Sequence, residues 1–141
     1  MSQQTTGKAD SKSFLAGDTM PAYSVVTFMT AGSNAVFVRP WLTDTAVILG
    51  VTLQAASATG EAVEVILAAP TVKCLVGSVD IAAGDIVGPQ TANTGAITTR
   101  ANPGTVTTFM VPTLGIALEA GSVSSIIEVL LQPVSTRPSD G

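Results

Sequence analysis

The chain contains no histidine and only one cysteine, Cys74. Without imidazole, Ser-His-Asp and Cys-His catalysis are excluded, and most zinc sites lose their usual nitrogen ligand. Cys74 has no partner for an internal disulfide. Flanked by Lys73 and Leu75 in a strand-like run, it reads as a small buried hydrophobe rather than a reactive thiol. Charge is scarce too: 11% of residues carry it, against roughly 25% in ordinary soluble domains. Aromatic residues make up 4%, with Trp41 and Tyr23 alone beyond the phenylalanines. Sugar-binding modules use exposed aromatics, so this shortage disfavours that class. No apolar run approaches the roughly 20 residues of a membrane-spanning helix. The first residues, MSQQTTGKADSKS, hold no apolar core of a secretory signal, so the expectation is folding in a reducing cytoplasm. No glycine-rich loop followed by Lys-Ser/Thr is present to cradle a phosphate.

What is present is apolar and small. Hydrophobic residues make up 46% of the 141-residue chain, and the mean hydropathy is +0.49. The length suits one domain. A monomer of 14.2 kDa would expose roughly 6,800 Å², which ten acidic and six basic side chains cover thinly. Such a surface favours association with copies of itself or with a larger partner. The net charge of −4 is the wrong sign for nucleic acid. The six cations, Lys8, Lys12, Arg39, Lys73, Arg100 and Arg137, form no basic stripe to neutralise phosphates.

The pattern is period two, not 3.6. No window carries a helical apolar stripe over three turns, whereas short alternating runs recur. The stretch from Leu49 to Leu67, LGVTLQAASATGEAVEVIL, returns as Leu114 to Leu131, LGIALEAGSVSSIIEVLL. Each predicts a β-hairpin. The inward sets are expected to be Leu49, Val51, Leu53 with Val63, Val65, Leu67, and then Leu114, Ile116, Leu118 with Ile127, Val129, Leu131. The stretch Gln54 to Ala62 is expected to be a polar loop rather than a helical turn. Gly50 and Gly115 fall at matching strand positions, which points to a bend, a bulge or a close backbone approach. Further echoes pair Ala16-Gly17-Asp18 and Pro21 with Ala83-Gly84-Asp85 and Pro89, and Thr30 to Arg39 with Thr91 to Arg100. Strands are expected over Ser24 to Thr30, Val72 to Gly77 and Thr105 to Val111. The order of these matches predicts an internal duplication of roughly 50 residues per unit. Two such units bury their apolar faces most economically as a small barrel or sandwich.

The resulting expectation is an all-β fold of two similar halves. Residues 1–13 form an N-terminal arm, and 14–131 form a single domain with repeats at about 14–67 and 79–131. Residues 132–141 form a C-terminal arm. Two prolines and a glycine keep that last segment irregular. Residues 1–12 are expected to be removable without loss of the fold.

Few side chains suggest chemistry. Glu61 and Glu64 are three apart in a strand, so they face opposite ways and make a poor acid–base pair. Glu64 and Glu128 match between repeats and read best as solvent-facing. Asp18 and Asp85 fit turn chemistry. Calcium needs about six oxygens, and only Asp80 joins Asp85 nearby. Arg39 and Arg100 match between repeats and suit either an internal structural pair or a partner contact. Trp41 is either core or an interface anchor.

The hairpin at Gly50 to Val65, the IAAGD turn at Ile81 to Asp85, and the closing hairpin at Gly115 to Leu131 together resemble a family of small phage capsid decoration (cement) proteins. The likeness runs over roughly residues 14 to 131, and the polar tails fall outside it. It implies a β-tulip-like fold, no catalytic residues, and no cofactor or metal. It also implies a homotrimer that clamps neighbouring major capsid subunits on the outside of the head, after synthesis in the host cytoplasm. Candidate partner contacts are Lys8, Lys12, Phe14, Arg39, Trp41 and Arg137. Alternatives are a head fibre or tail accessory domain, or a small β-barrel binding module.

Overall fold

A computed structural model describes residues 10–29, 37–41, 48–90, 94–99 and 113–131. Ten strands are seen among them and no helix. The first five are β1 (Asp10–Ala16), β2 (Val25–Met29), β3 (Phe37–Pro40), β4 (Gly50–Thr52) and β5 (Ala62–Ala68). They close into a barrel in the order β1-β3-β2-β4-β5, with β1 antiparallel to β5 and parallel to β3. The next five are β6 (Thr71–Leu75), β7 (Ile86–Pro89), β8 (Ile97–Thr99), β9 (Gly115–Ala117) and β10 (Ile126–Leu131). Their sheet runs β6-β10-β9-β7-β8, the same cyclic order. Its two edges meet at a parallel bridge between Val76 and Ile97.

The correspondence reaches single hydrogen bonds. Gly17 N–H donates to Val38 O as Gly77 N–H does to Ile97 O, and Leu53 N–H donates to Glu64 O as Leu118 N–H does to Glu128 O. Reciprocal bonds join Met20 to Ala56 and likewise Ile81 to Gly121. Glu64 N–H reaches the Gln54 side chain as Glu128 N–H reaches that of Glu119.

These bonds revise the echoes read from sequence. Gly17 corresponds to Gly77, and Ala83-Gly84-Asp85 corresponds to Ala22-Tyr23-Ser24. With Val38 matched to Ile97, the counterpart of Arg39 is Thr98, not Arg100, which lies outside the described residues. Short motifs of Ala, Gly and Asp can be slid by a few positions without penalty in sequence, whereas a ladder fixes the register.

One turn occurs four times. Pro21–Ser24, Ala58–Glu61, Ala82–Asp85 and Ser122–Ser125 each place their third residue at positive φ: Tyr23 (62°), Gly60 (96°), Gly84 (92°) and Ser124 (72°). Three close with the fourth N–H on the first carbonyl, and at Pro21 the Ser24 hydroxyl does so. The stretch Gln54 to Ala62 is accordingly loop and turn, as expected.

The two cores differ in where their residues come from. One fills the first barrel: Ala16, Met20, Val26, Val38, Ala56, Val63 and Val65, with Phe14 and Leu49 at its margin. The other fills the second sheet, including Val72, Cys74, Val87, Ile97, Ile127 and Val129, but also takes in Val25, Trp41 and Val51 from the first half. The Val63/Val65 and Ile127/Val129 phase is as expected. On β4 and β9 the phase is reversed. Val51 stands opposite Ile66 on the outer face, and Thr52 stands opposite Val65 on the inner one; likewise Ile116 faces out and Ala117 faces in. The lumen of a five-stranded barrel is narrow, so small residues line it there. A Cβ at Gly50 would collide with the Ile66 carbonyl oxygen, which is the close approach its position suggested. Leu53, Leu67 and Leu118 are exposed, not inward.

At the chain start, Asp10–Ser13, expected within the N-terminal arm, belong to β1 and pair with β5. Removing residues 1–12 would therefore strip three paired residues. The strand expected over Val72 to Gly77 is β6 (Thr71–Leu75) and joins the second sheet, so the second unit begins before residue 79. The candidate strand Thr105 to Val111 and the C-terminal arm lie outside the described residues.

Candidate functional site

No cluster of three or more Asp, Glu, His or Cys side chains capable of holding a metal occurs among the described residues. The carboxylates are engaged locally. The Asp85 carboxylate accepts from Ala82 N–H and that of Asp80 from Val123 N–H. Glu61 accepts from both the hydroxyl and the backbone N–H of Ser57. These bonds, the hydroxyl one first, hold its carboxyl below the usual value. Glu64 receives the Ser11 hydroxyl across the β1–β5 pair, so it braces a sheet rather than facing solvent alone. Glu128 stands opposite Lys73. Burial pushes the Cys74 thiol up to about 12, so at neutral pH it is protonated and not nucleophilic.

The proposed partner contacts separate in space. Lys12 is exposed on β1. Phe14 is half-buried and packs edge-on against Phe28, with ring centroids 6.1 Å apart. Phe28, which the sequence reading did not single out, is 49% exposed. The two rings share the inward side of their strands near the end of the first barrel. Arg39 is half-buried on β3 opposite Thr27, and its Nε is buried without a hydrogen-bond partner among the described residues. Trp41 is fully buried at the junction of the halves. It therefore offers no surface to a partner: of the two readings, core and interface anchor, burial favours the core, and Trp41 leaves the set of candidate partner contacts. Its Pro40 neighbour ends β3, and the Trp41 N–H donates to Val25 O. Lys8 and Arg137 lie outside the described residues.

The junction itself forms a groove of about 330 Å³, lined by Tyr23, Thr52, Leu53 and Ile66 on one side and Thr71, Val72, Lys73 and Glu128 on the other. Two backbone bonds stitch the halves beside it: Val25 N–H to Gly95 O, and Leu75 N–H to Tyr23 O. Neither could be anticipated, since no sequence pattern says which loop of one unit meets which strand of the other. With one cation, one anion and several apolar walls, this arrangement suits surface contact and holds no nucleophile–base pair.

The architecture has a counterpart among solved structures. The N base of the head fibre protein gp8.5 of bacteriophage phi29 superposes with a TM-score of 0.66, at 14% identity, over 88% of this chain and 94% of that one. The fold resembles that of a phage head-fibre base. At this identity the likeness concerns the fold. No family model and no curated protein matches the chain.

Proposed function

We propose that this chain is a structural protein of a phage particle, mounted on the outside of the head as a homotrimer that clamps neighbouring major capsid subunits. The observation that carries the reading is the near-complete overlap with a head-fibre base, joined to the ordered hairpin motifs that resemble capsid decoration proteins. The physical character agrees. The surface is thin in charge, and Phe28, Leu118, Val123 and Ile126 are each nearly half exposed. Such a surface gains from burial against a large partner. Linking three footholds in one trimer multiplies weak contacts into firm attachment. No residue is assigned a catalytic role.

The head-fibre likeness favours a second reading, the base of a fibre attached at few positions. Copy number separates the two. Purified heads lacking this protein are incubated with it, and occupancy is counted by gel densitometry and cryo-microscopy. Saturation at hundreds of copies, at positions of three-fold symmetry, supports the decoration reading. A handful of copies supports the fibre base, and no binding rejects both.

A further inference from the structure

The two halves meet asymmetrically, and among the described residues one outer row is covered while its counterpart stays partly exposed. In the first half an outer row runs across three strands: Val25 opposite Val51, and Val51 opposite Ile66. The second half covers that row. Val25 is 0% and Val51 is 1% exposed, and Ile66 packs against the same core. The register gives an equivalent row in the second half: Ile86 opposite Ile116, and Ile116 opposite Leu130. All three of these side chains are only partly buried. Leu118 and Ile126, each 47% exposed, flank the row, and Leu75 stands beside Ile126. This makes an outer face on β7-β9-β10-β6 that is largely apolar, with Glu128 and Lys73, which also line the junction groove, set between Leu130 and Ile126.

We infer that this face of the second half is the contact between copies of the chain, taking a second copy as the row Val25–Val51–Ile66 takes the second half within one chain. Two observations choose that occupant. The molecule already shows what fits this row, namely another unit of the same fold. A contact between non-equivalent surfaces that is used once within a chain leaves its counterpart available to the next chain. The face also carries Lys73 opposite Glu128, one charge of each sign side by side. Two copies can then meet without a like-charge penalty. The inference deepens the self-association part of the proposed function and does not depend on a capsid.

The test is the mass of the full-length protein in solution, with no heads present, by light scattering after size exclusion. Wild type is expected to be oligomeric. Leu118→Glu/Ile126→Glu is expected to be monomeric with an unchanged far-UV spectrum. The control Leu67→Glu, at an exposed site of the first half outside the lining of the junction groove, is expected to stay oligomeric. If the double Glu variant does not fold, the milder Leu118→Ser/Ile126→Ser should raise the self-dissociation constant at least tenfold. A monomeric wild type overturns the inference. If the face variant then fails to bind heads, the face belongs to the capsid protein; if it only loses stability, a segment of the same chain covers it. An oligomer unaffected by either face variant also overturns it. Oligomers that never bind heads would instead reject the proposed function and leave this contact standing.

Discussion

At single positions, the backbone and the solvent decide what each residue can do. Ser124 holds φ of 72° at an exposed turn site whose counterpart in the first half is Gly60. The left-handed region costs an L-residue about 1 kcal/mol or more. Ser124→Gly is therefore expected to be neutral to stabilising by up to about 1 kcal/mol, and Gly60→Ala to cost about 1 kcal/mol, both read by urea unfolding. Cys74 is sealed in the second core. Native protein at pH 8 should not react with a thiol reagent, and one thiol per chain should appear on denaturation. The Glu61 carboxyl is held below its ordinary value of 4.5 by Ser57. A lowered folded value means this bond's contribution is present above pH 4.5 and fades as pH falls below it. Ser57→Ala should thus lower the melting temperature near pH 7, and the gap to wild type should close in acid.

At the level of strands, the hairpins are what the alternating pattern makes them, but the facing of β4 and β9 is not. Their large residues point outward because Gly50, Thr52 and Ala117 occupy the inner positions, where a five-stranded lumen has little room. A sequence reader assigns Val51 or Ile116 to the barrel interior by size. Only the pairing with Ile66 and Leu130 shows otherwise. The start of β1 matters equally. Deleting residues 1–9 keeps the whole of β1 and is the reference for a longer deletion. Deleting 1–12 removes Asp10, Ser11 and Lys12 from the β5 ladder, together with the Ser11–Glu64 bond, and should cost about 1 kcal/mol or more. If the shorter deletion weakens head attachment while the fold holds, the N-terminal arm serves the partner.

For the molecule as a whole, the shared core is the controlling feature. Val25, Trp41 and Val51 belong to the first half by chain position and to the second by packing. Thermal unfolding should therefore be one transition, the same by tryptophan fluorescence and by far-UV dichroism. Two separate transitions would contradict the shared core. Trp41→Ala empties the largest fully buried side chain and should cost about 3–5 kcal/mol, lowering that single transition rather than splitting it.

Composition and alternation by themselves determined a great deal. The absence of histidine removed Ser-His-Asp and Cys-His catalysis, and period-two runs predicted strands, which are the only regular elements among the described residues. The twin hairpins around Glu64 and Glu128 disclosed a duplicated β-architecture. These properties are local, set by side-chain chemistry and the geometry of a strand. Other features belong to the tertiary structure alone. The match of Arg39 to Thr98, the burial of Trp41, and the split between a covered and a partly exposed outer row depend on contacts between residues far apart in the chain. Two nearly identical units carry nearly identical patterns, so nothing local can say which unit covers the other. That choice is made by Tyr23 and Val25 reaching Leu75 and Gly95 across the junction.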